Sequence, residues 1–153
     1  MILALLVSQA MAAPPVHLEG LTVPAPDGWT AEHKPDVGHW VVRSPGPASS
    51  ATFAMVQALP VGAPSEAVAV VEKLKSDATF LDSSFVWVGD VKVEALDDGF
   101  VLTGKQKATW DTSTESALLV VRKLGPGWVT CHPATLGKSS DAAAVRSMCV
   151  GLR

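Results

Sequence analysis

Residues 85–130 read FVWVGDVKVEALDDGFVLTGKQKATWDTSTESALLVVRKLGPGWVT, and this stretch decides the fold class. It contains five β-rich runs separated by turn signals: 85–88, 91–96, 99–110, 115–124 and 128–130. The pair Asp98-Gly99 favours a tight hairpin turn. Because links of hairpin length join neighbouring antiparallel strands, the stretch predicts an antiparallel sheet.

The run Ala-Leu-Leu-Val-Val at 117–121 indicates which strand lies near the centre of that sheet. Successive side chains of a strand point to opposite faces, so this strand is apolar on both faces. A strand of that kind is typical of a sheet covered on both sides. By contrast, Lys105 and Lys107 share one face of their strand, and we expect that face to see solvent.

The chain before residue 85 adds strands and one helix. We expect a strand over 16–23, a hairpin over 29–44 and an apolar strand over 51–59. Ser65 is a good N-cap for a helix that follows it. The helix carries one apolar stripe, formed by Ala67, Val70, Val71, Leu74 and Ala78.

A second helix is predicted over 141–152, with Ser139, Ser140 or Asp141 as its cap. The element order then gives an α+β fold, an antiparallel β-sheet with one central helix and one C-terminal helix packed on it. The roughly 140 residues that follow residue 12 are the usual size of one domain, so 13–153 is expected to be a single domain.

The N-terminus has the pattern of an export signal. Residues 1–7 form an uninterrupted apolar run, and Ala10 and Ala12 fit a cleavage site before Ala13. We therefore expect residues 1–12 to be a signal peptide and the mature chain to be periplasmic or secreted, without a membrane span. The alternative interpretation is a buried N-terminal strand or helix.

Cys131 and Cys149 are the two cysteines of the chain. In an exported protein, an even count favours a disulfide, which would join the last helix to the sheet. Two reduced, buried thiols are the alternative. A nucleophilic Cys131 beside His132 is the weakest interpretation, because adjacent strand residues point to opposite faces.

The segment Pro24-Ala25-Pro26-Asp27-Gly28-Trp29 follows the predicted first strand. With the hairpin, the Ala-rich strand, the helix, the antiparallel strands and the short last helix, it resembles the PsbP-like fold of small exported bacterial proteins of the DcrB type. That resemblance implies an accessory or binding domain and no shared catalytic residues. Proteins of the DcrB type are often lipid-anchored, and this chain has no cysteine after its apolar run to be acylated.

One polar turn could bind metal. His33, Asp36 and His39 form an H-x-x-D-x-x-H pattern, and Pro35 and Gly38 keep it out of a helix. In a hairpin, the two histidines could face each other, and two imidazoles with a carboxylate would suit zinc. The alternative is a polar turn with surface histidines. No motif of a hydrolase or of a phosphate-binding loop is present in the sequence, so no catalytic residue and no cofactor is assigned.

Five tryptophans and no tyrosine are present, and tryptophan serves either as a large core residue or as a platform for a ligand. Trp110 is the best candidate for ligand stacking, because it ends a polar strand before the loop 111–114. The net charge is −3 and the sequence shows no cluster of lysine and arginine. We therefore expect no nucleic-acid partner and no strong attraction to anionic membranes.

These observations favour a monomeric, exported, non-enzymatic accessory or binding module of the bacterial cell envelope, with an envelope protein as one conceivable partner. A metal-dependent protein or enzyme that uses the His33/Asp36/His39 turn is the first alternative. A periplasmic chaperone or assembly factor is the second, and it would need an exposed apolar groove.

Overall fold

The computed structural model describes residues 18–60, 62–77, 84–134 and 141–153. These residues form one seven-stranded sheet with a helix on each face. The strands are β1 (Thr30–Lys34), β2 (His39–Arg43), β3 (Phe53–Ala58), β4 (Phe85–Leu96), β5 (Gly99–Ala108), β6 (Glu115–Leu124) and β7 (Gly127–Pro133). The helices are α1 (Ala67–Ser76) and α2 (Ala142–Val150).

The strands lie side by side in the order β1-β2-β3-β7-β6-β5-β4, and every neighbouring pair is antiparallel. The predicted fold class, an α+β fold with an antiparallel sheet, is therefore confirmed. Two edge strands result, β1 and β4. Within the described ranges, neither helix has the length and apolar character needed to cross a membrane.

Helix α2 covers the face of the sheet that we call the α2 face. Val56, Val120 and Val129 of the strands pack there against Val145 and Met148 of α2. The Asp141 side chain caps the helix by accepting a hydrogen bond from the Ala144 amide at 3.0 Å, which confirms one of the three predicted caps.

The predicted disulfide between Cys131 of β7 and Cys149 of α2 is present, with the two Cα atoms 5.5 Å apart. Both residues are fully buried. The bond therefore fixes α2 to a central strand of the sheet.

Helix α1 covers the opposite face, the α1 face. Val70 and Leu74 are buried against Phe100, Leu119 and Val121 of the sheet. Residues 117–121 are buried throughout and contribute to both cores, as expected for a strand covered on both sides. Ala78, the last residue of the predicted apolar stripe, lies outside the described residues.

The predicted Ser65 cap is wrong. Glu66 occupies the N-cap position of α1, and its side chain makes no capping hydrogen bond. The Ser65 carbonyl instead accepts a hydrogen bond from the Trp128 indole at 3.2 Å. This long-range contact draws Ser65 toward the sheet, and the helix begins at Ala67.

The predicted strand over 16–23 is not formed in its described part. Leu18–Gly20 is a short 3₁₀ turn, and Leu18 and Leu21 are buried in the core on the α2 face. Thr22 and Arg153 exchange backbone hydrogen bonds of 2.7 and 3.3 Å. This segment is therefore held by the C-terminus of the chain rather than by the sheet. Residues 1–12, predicted to be a signal peptide, lie outside the described residues.

Residues 85–88 and 91–96, predicted as two runs, form the single strand β4. The register against β5 shifts between Val88 and Lys92, and Gly89 adopts a φ of 72° there. Glycine tolerates that left-handed conformation, so the chain absorbs its extra residues in a bulge and does not turn.

Candidate functional site

The five tryptophans all lie in the described residues, and their environments differ sharply. Trp29, Trp40 and Trp87 are half-buried against the cores, and Trp128 is buried. Trp110 alone is exposed, with 73% of its surface accessible. An indole left in solvent is unusual for a core residue and fits a residue that meets a partner or a ligand.

The loop that carries Trp110 is held in place by backbone hydrogen bonds. The chain leaves β5 at Ala108 and turns over Thr109 and Trp110. The Thr109 amide donates to the Ser84 carbonyl at 2.9 Å, and the Asp111 amide donates to the Ala108 carbonyl at 3.2 Å. Trp110 therefore sits between two anchored residues, and less conformational freedom is lost when a ligand stacks on it.

Asp111 organises the rest of the loop. Its carboxylate accepts hydrogen bonds from the Thr112 amide at 2.6 Å, the Ser113 amide at 3.1 Å and the Ser113 hydroxyl at 2.6 Å. The Ser113 side chain is the largest cause of a lowered pKa of Asp111, followed by the Ser113 and Thr112 amides. The carboxylate is used inside the loop, so its role here is structural.

An open pocket of about 320 Å³ lies beside Trp110. Phe85, at the start of β4, forms the second aromatic wall of the pocket. The centroid of its ring lies 6.1 Å from that of the Trp110 ring. The β4–β5 register pairs Phe85 with Ala108 and so brings the phenyl ring beside the indole. No local pattern predicts a role for Phe85, because the whole β4–β5 hairpin separates it from Trp110 in the chain.

Polar side chains complete the lining of the pocket. Gln106 and Glu115 are paired across β5 and β6, and Ser113 and Lys107 also line the pocket. The lining thus combines aromatic rings with an amide, a carboxylate and a hydroxyl group. Such a mixture can hold a small ring by stacking and orient it by hydrogen bonds.

The turn that could have bound metal does not bring its two histidines together. In the β1–β2 register, His33 lies opposite Trp40, and Lys34 lies opposite His39. The two imidazoles therefore belong to opposite faces of the hairpin, and the expectation that they face each other is wrong. His33 instead contacts the Trp40 ring, with centroids 5.4 Å apart. Asp36 is exposed in the turn.

A metal site also finds no support elsewhere in the part of the chain that the structure describes. No group of three or more histidine, cysteine, aspartate and glutamate side chains there could hold a metal ion.

Cys131 and His132 do not form a nucleophile and base. The Cys131 sulfur is bonded to Cys149, and the neighbouring imidazole points to the other face of the sheet. Burial lowers the pKa of His132, while a hydrogen bond from its Nδ1 to the Pro133 carbonyl, at 2.9 Å, opposes the shift. His132 is therefore a half-buried histidine of the sheet whose surroundings disfavour the charged form.

Comparisons of this chain with protein-family models, with curated proteins and with solved structures returned no match. The resemblance to the PsbP-like fold consequently stays a prediction.

Proposed function

We propose that this chain is an exported, non-enzymatic binding module of the bacterial cell envelope, and that it binds a saccharide in the pocket between Trp110 and Phe85. The observation that carries the proposal is the exposure of Trp110 on a loop whose backbone is already fixed. Tryptophan combines a large apolar surface with few rotatable bonds, and it often dominates the energy of binding sites.

The lining supports a saccharide as the ligand class. The apolar face of a sugar ring can stack on the Trp110 indole, while its hydroxyl groups exchange hydrogen bonds with amide and carboxylate groups. Gln106 and Glu115 supply those groups from the strands that flank the loop. Neither side chain makes a hydrogen bond to another described residue, so both are available to a ligand.

Export is supported by the cysteine pair. A disulfide persists in oxidising compartments and is rare in a reducing cytosol. Cys131 and Cys149 form such a bond at the centre of the fold. Together with the apolar run and the Ala10/Ala12 pattern at the N-terminus, this supports a periplasmic or secreted protein.

Calorimetric titration with chito-, cello- and malto-oligosaccharides tests the ligand class. We expect at least one series to bind, and we expect Trp110→Ala to weaken that binding by about thirtyfold, the equivalent of ~2 kcal/mol for a central tryptophan. Phe85→Ala should weaken the same binding to a smaller extent, because its ring forms the second wall.

Val68→Ala is the matched control. Val68 is 76% exposed on α1, so this variant also removes an exposed apolar side chain, but from the helix instead of the pocket. Its affinity should equal that of the unmodified protein. Absence of binding in all three series, or equal affinity in Trp110→Ala and Val68→Ala, would refute the proposal.

A further inference from the structure

Three lysines that are dispersed in the sequence meet on one face of the β4–β5 hairpin. Lys105 and Lys107 are two residues apart on β5, and Lys92 of β4 pairs with Thr103, two residues before Lys105. All three side chains therefore leave the sheet on its α2 face, with the backbones of successive members of the row about 7 Å apart. We call Lys92, Lys105 and Lys107 the lysine row.

The lysine row is not neutralised within the described part of the chain. None of its ammonium groups forms a salt bridge with a described carboxylate. Glu94 lies on the same face of β4, but it pairs with Arg146 of α2 at 2.6 Å. Asp90 lies in the bulge between Val88 and Lys92, and Glu115 points to the α1 face.

Among the described residues, the face around the row is only partly covered. Val86 pairs with Lys107 and Val88 pairs with Lys105, and both valines are half-buried. Helix α2 packs on β6 and β7 and reaches β4 through the Arg146–Glu94 pair. The end of the β4–β5 hairpin away from its turn thus presents the exposed Lys105 and the half-buried Lys107 beside two valines, with the exposed Lys92 on the other side of the bulge.

Like charges placed side by side on neighbouring strands destabilise a sheet. This protein has a net charge of −3, so the row is a local positive patch on an otherwise acidic molecule. A positive and partly apolar surface is complementary to the surface of an anionic bilayer. The sequence, in which these lysines are dispersed, predicts no strong attraction to anionic membranes, but strand pairing brings the three together. We propose that the lysine row docks this protein on a membrane that contains anionic phospholipids.

The docked orientation would leave the ligand pocket accessible at the edge of the contact. Lys107 lies at the end of the row and also lines the pocket beside Trp110. Electrostatic attraction at an anionic surface contributes about a fivefold factor in partitioning for each lysine, so the three together contribute ~100-fold. The attraction is screened by salt, so partitioning falls as ionic strength rises.

Co-sedimentation of the full chain with vesicles tests the proposal. One set of vesicles contains phosphatidylcholine alone, and the other contains phosphatidylcholine with phosphatidylglycerol. The readout is the partition coefficient for the anionic vesicles divided by that for the phosphatidylcholine vesicles. Residues 1–12 carry no charged side chain, so their apolar contribution to binding is the same for both vesicle types and cancels in this ratio. We expect a high ratio for the unmodified protein and a ~100-fold lower ratio for the triple variant Lys92→Gln, Lys105→Gln, Lys107→Gln.

Two further variants distinguish an effect of the lysine row from an effect of net charge and from an effect of misfolding. The variant Lys34→Gln, Lys73→Gln, Lys75→Gln removes the same charge from β1 and α1, where each lysine already has a salt-bridge partner, and it should keep a high ratio. Replacing the row by three arginines should keep it too. The proposal is overturned if the partition ratio falls as far in the control variant as in the row variant, or if the unmodified protein binds both vesicle types equally. It is also overturned if the protein binds the soluble polyanion polygalacturonate but neither type of vesicle.

Discussion

The centre of the sheet and the far end of the β4–β5 hairpin, the end away from its turn, differ in how deeply their side chains are buried. At the centre, β6 and β7 are buried on both faces, between two helices, and a disulfide joins β7 to α2. At the far end, Trp110, Lys92 and Lys105 are exposed and Lys107 is half-buried, although the loop that carries Trp110 is well hydrogen-bonded. Stability is therefore concentrated at the centre, and the end is available for binding.

Two tryptophans make the contrast measurable. Trp128 is 4% exposed, lies 5.7 Å from the Phe100 ring and donates a hydrogen bond to Ser65. We expect Trp128→Ala to lower the free energy of unfolding by about 4 kcal/mol, because it leaves a cavity on the α1 face. Chemical denaturation measures this directly. A decrease in the free energy of unfolding of less than about 1 kcal/mol would mean that Trp128 is not tightly packed in the core on the α1 face.

Removing the disulfide should have the next largest effect. The bond closes a loop with a sequence separation of 18, and the double variant Cys131→Ala, Cys149→Ala should lose about 3 kcal/mol of unfolding free energy. Reduction of the unmodified protein with dithiothreitol is the matched comparison, and it should give a loss of similar size. If the oxidised and reduced proteins unfold at the same denaturant concentration, the bond does not fix α2 to the sheet.

A smaller effect is expected from pH. Burial lowers the pKa of His132 in the folded protein below its ordinary value of 6.5, which the unfolded chain keeps. At a pH between the folded and the unfolded pKa, the unfolded chain therefore binds more protons than the folded protein. The contribution of His132 is present above pH 6.5 and is lost as the pH falls toward the folded pKa. The free energy of unfolding of His132→Gln should therefore depend less on pH just below 6.5.

Asp111 does not interfere with that measurement. Its pKa is also lowered, but from an ordinary value of 3.8, so its contribution changes only at more acidic pH. Identical pH profiles for His132→Gln and the unmodified protein would show that the imidazole is hydrated in the folded state.

The smallest effect on stability should come from Trp110. Because its side chain is 73% exposed, we expect Trp110→Ala to change the free energy of unfolding by no more than about 0.5 kcal/mol. The same denaturation series as for Trp128→Ala gives the value. A loss comparable to that of Trp128→Ala would place Trp110 among the residues that hold the fold.

The sequence predicted the features that depend on local chemistry. The doubly buried run 117–121 and the Asp141 cap are each determined by a few adjacent residues, and each is found where it was expected. The tight turn between β4 and β5 is also found, but one residue earlier than the predicted Asp98-Gly99 pair: Asp97 and Asp98 form it, and Gly99 begins β5 opposite Leu96. The disulfide was also predictable, because two cysteines allow one pairing.

Features that depend on register could not be predicted. The one-residue offset of the β1–β2 pairing decides that His33 and His39 lie on opposite faces. The bulge at Gly89 keeps β4 continuous, and that continuity brings Phe85 to Trp110 and Lys92 to the lysine row. Pairing across strands, rather than any short motif, creates both the candidate site and the docking surface.

The indole region of an NMR spectrum of the protein labelled with ¹⁵N-tryptophan tests the central claim, that Trp110 is the point at which a saccharide binds. In a titration with the oligosaccharide series that binds, we predict that the Trp110 resonance shifts, while those of Trp40 and Trp128, buried or half-buried in the two cores, stay in place. A shift of the core resonances with a stationary Trp110 resonance would contradict the account.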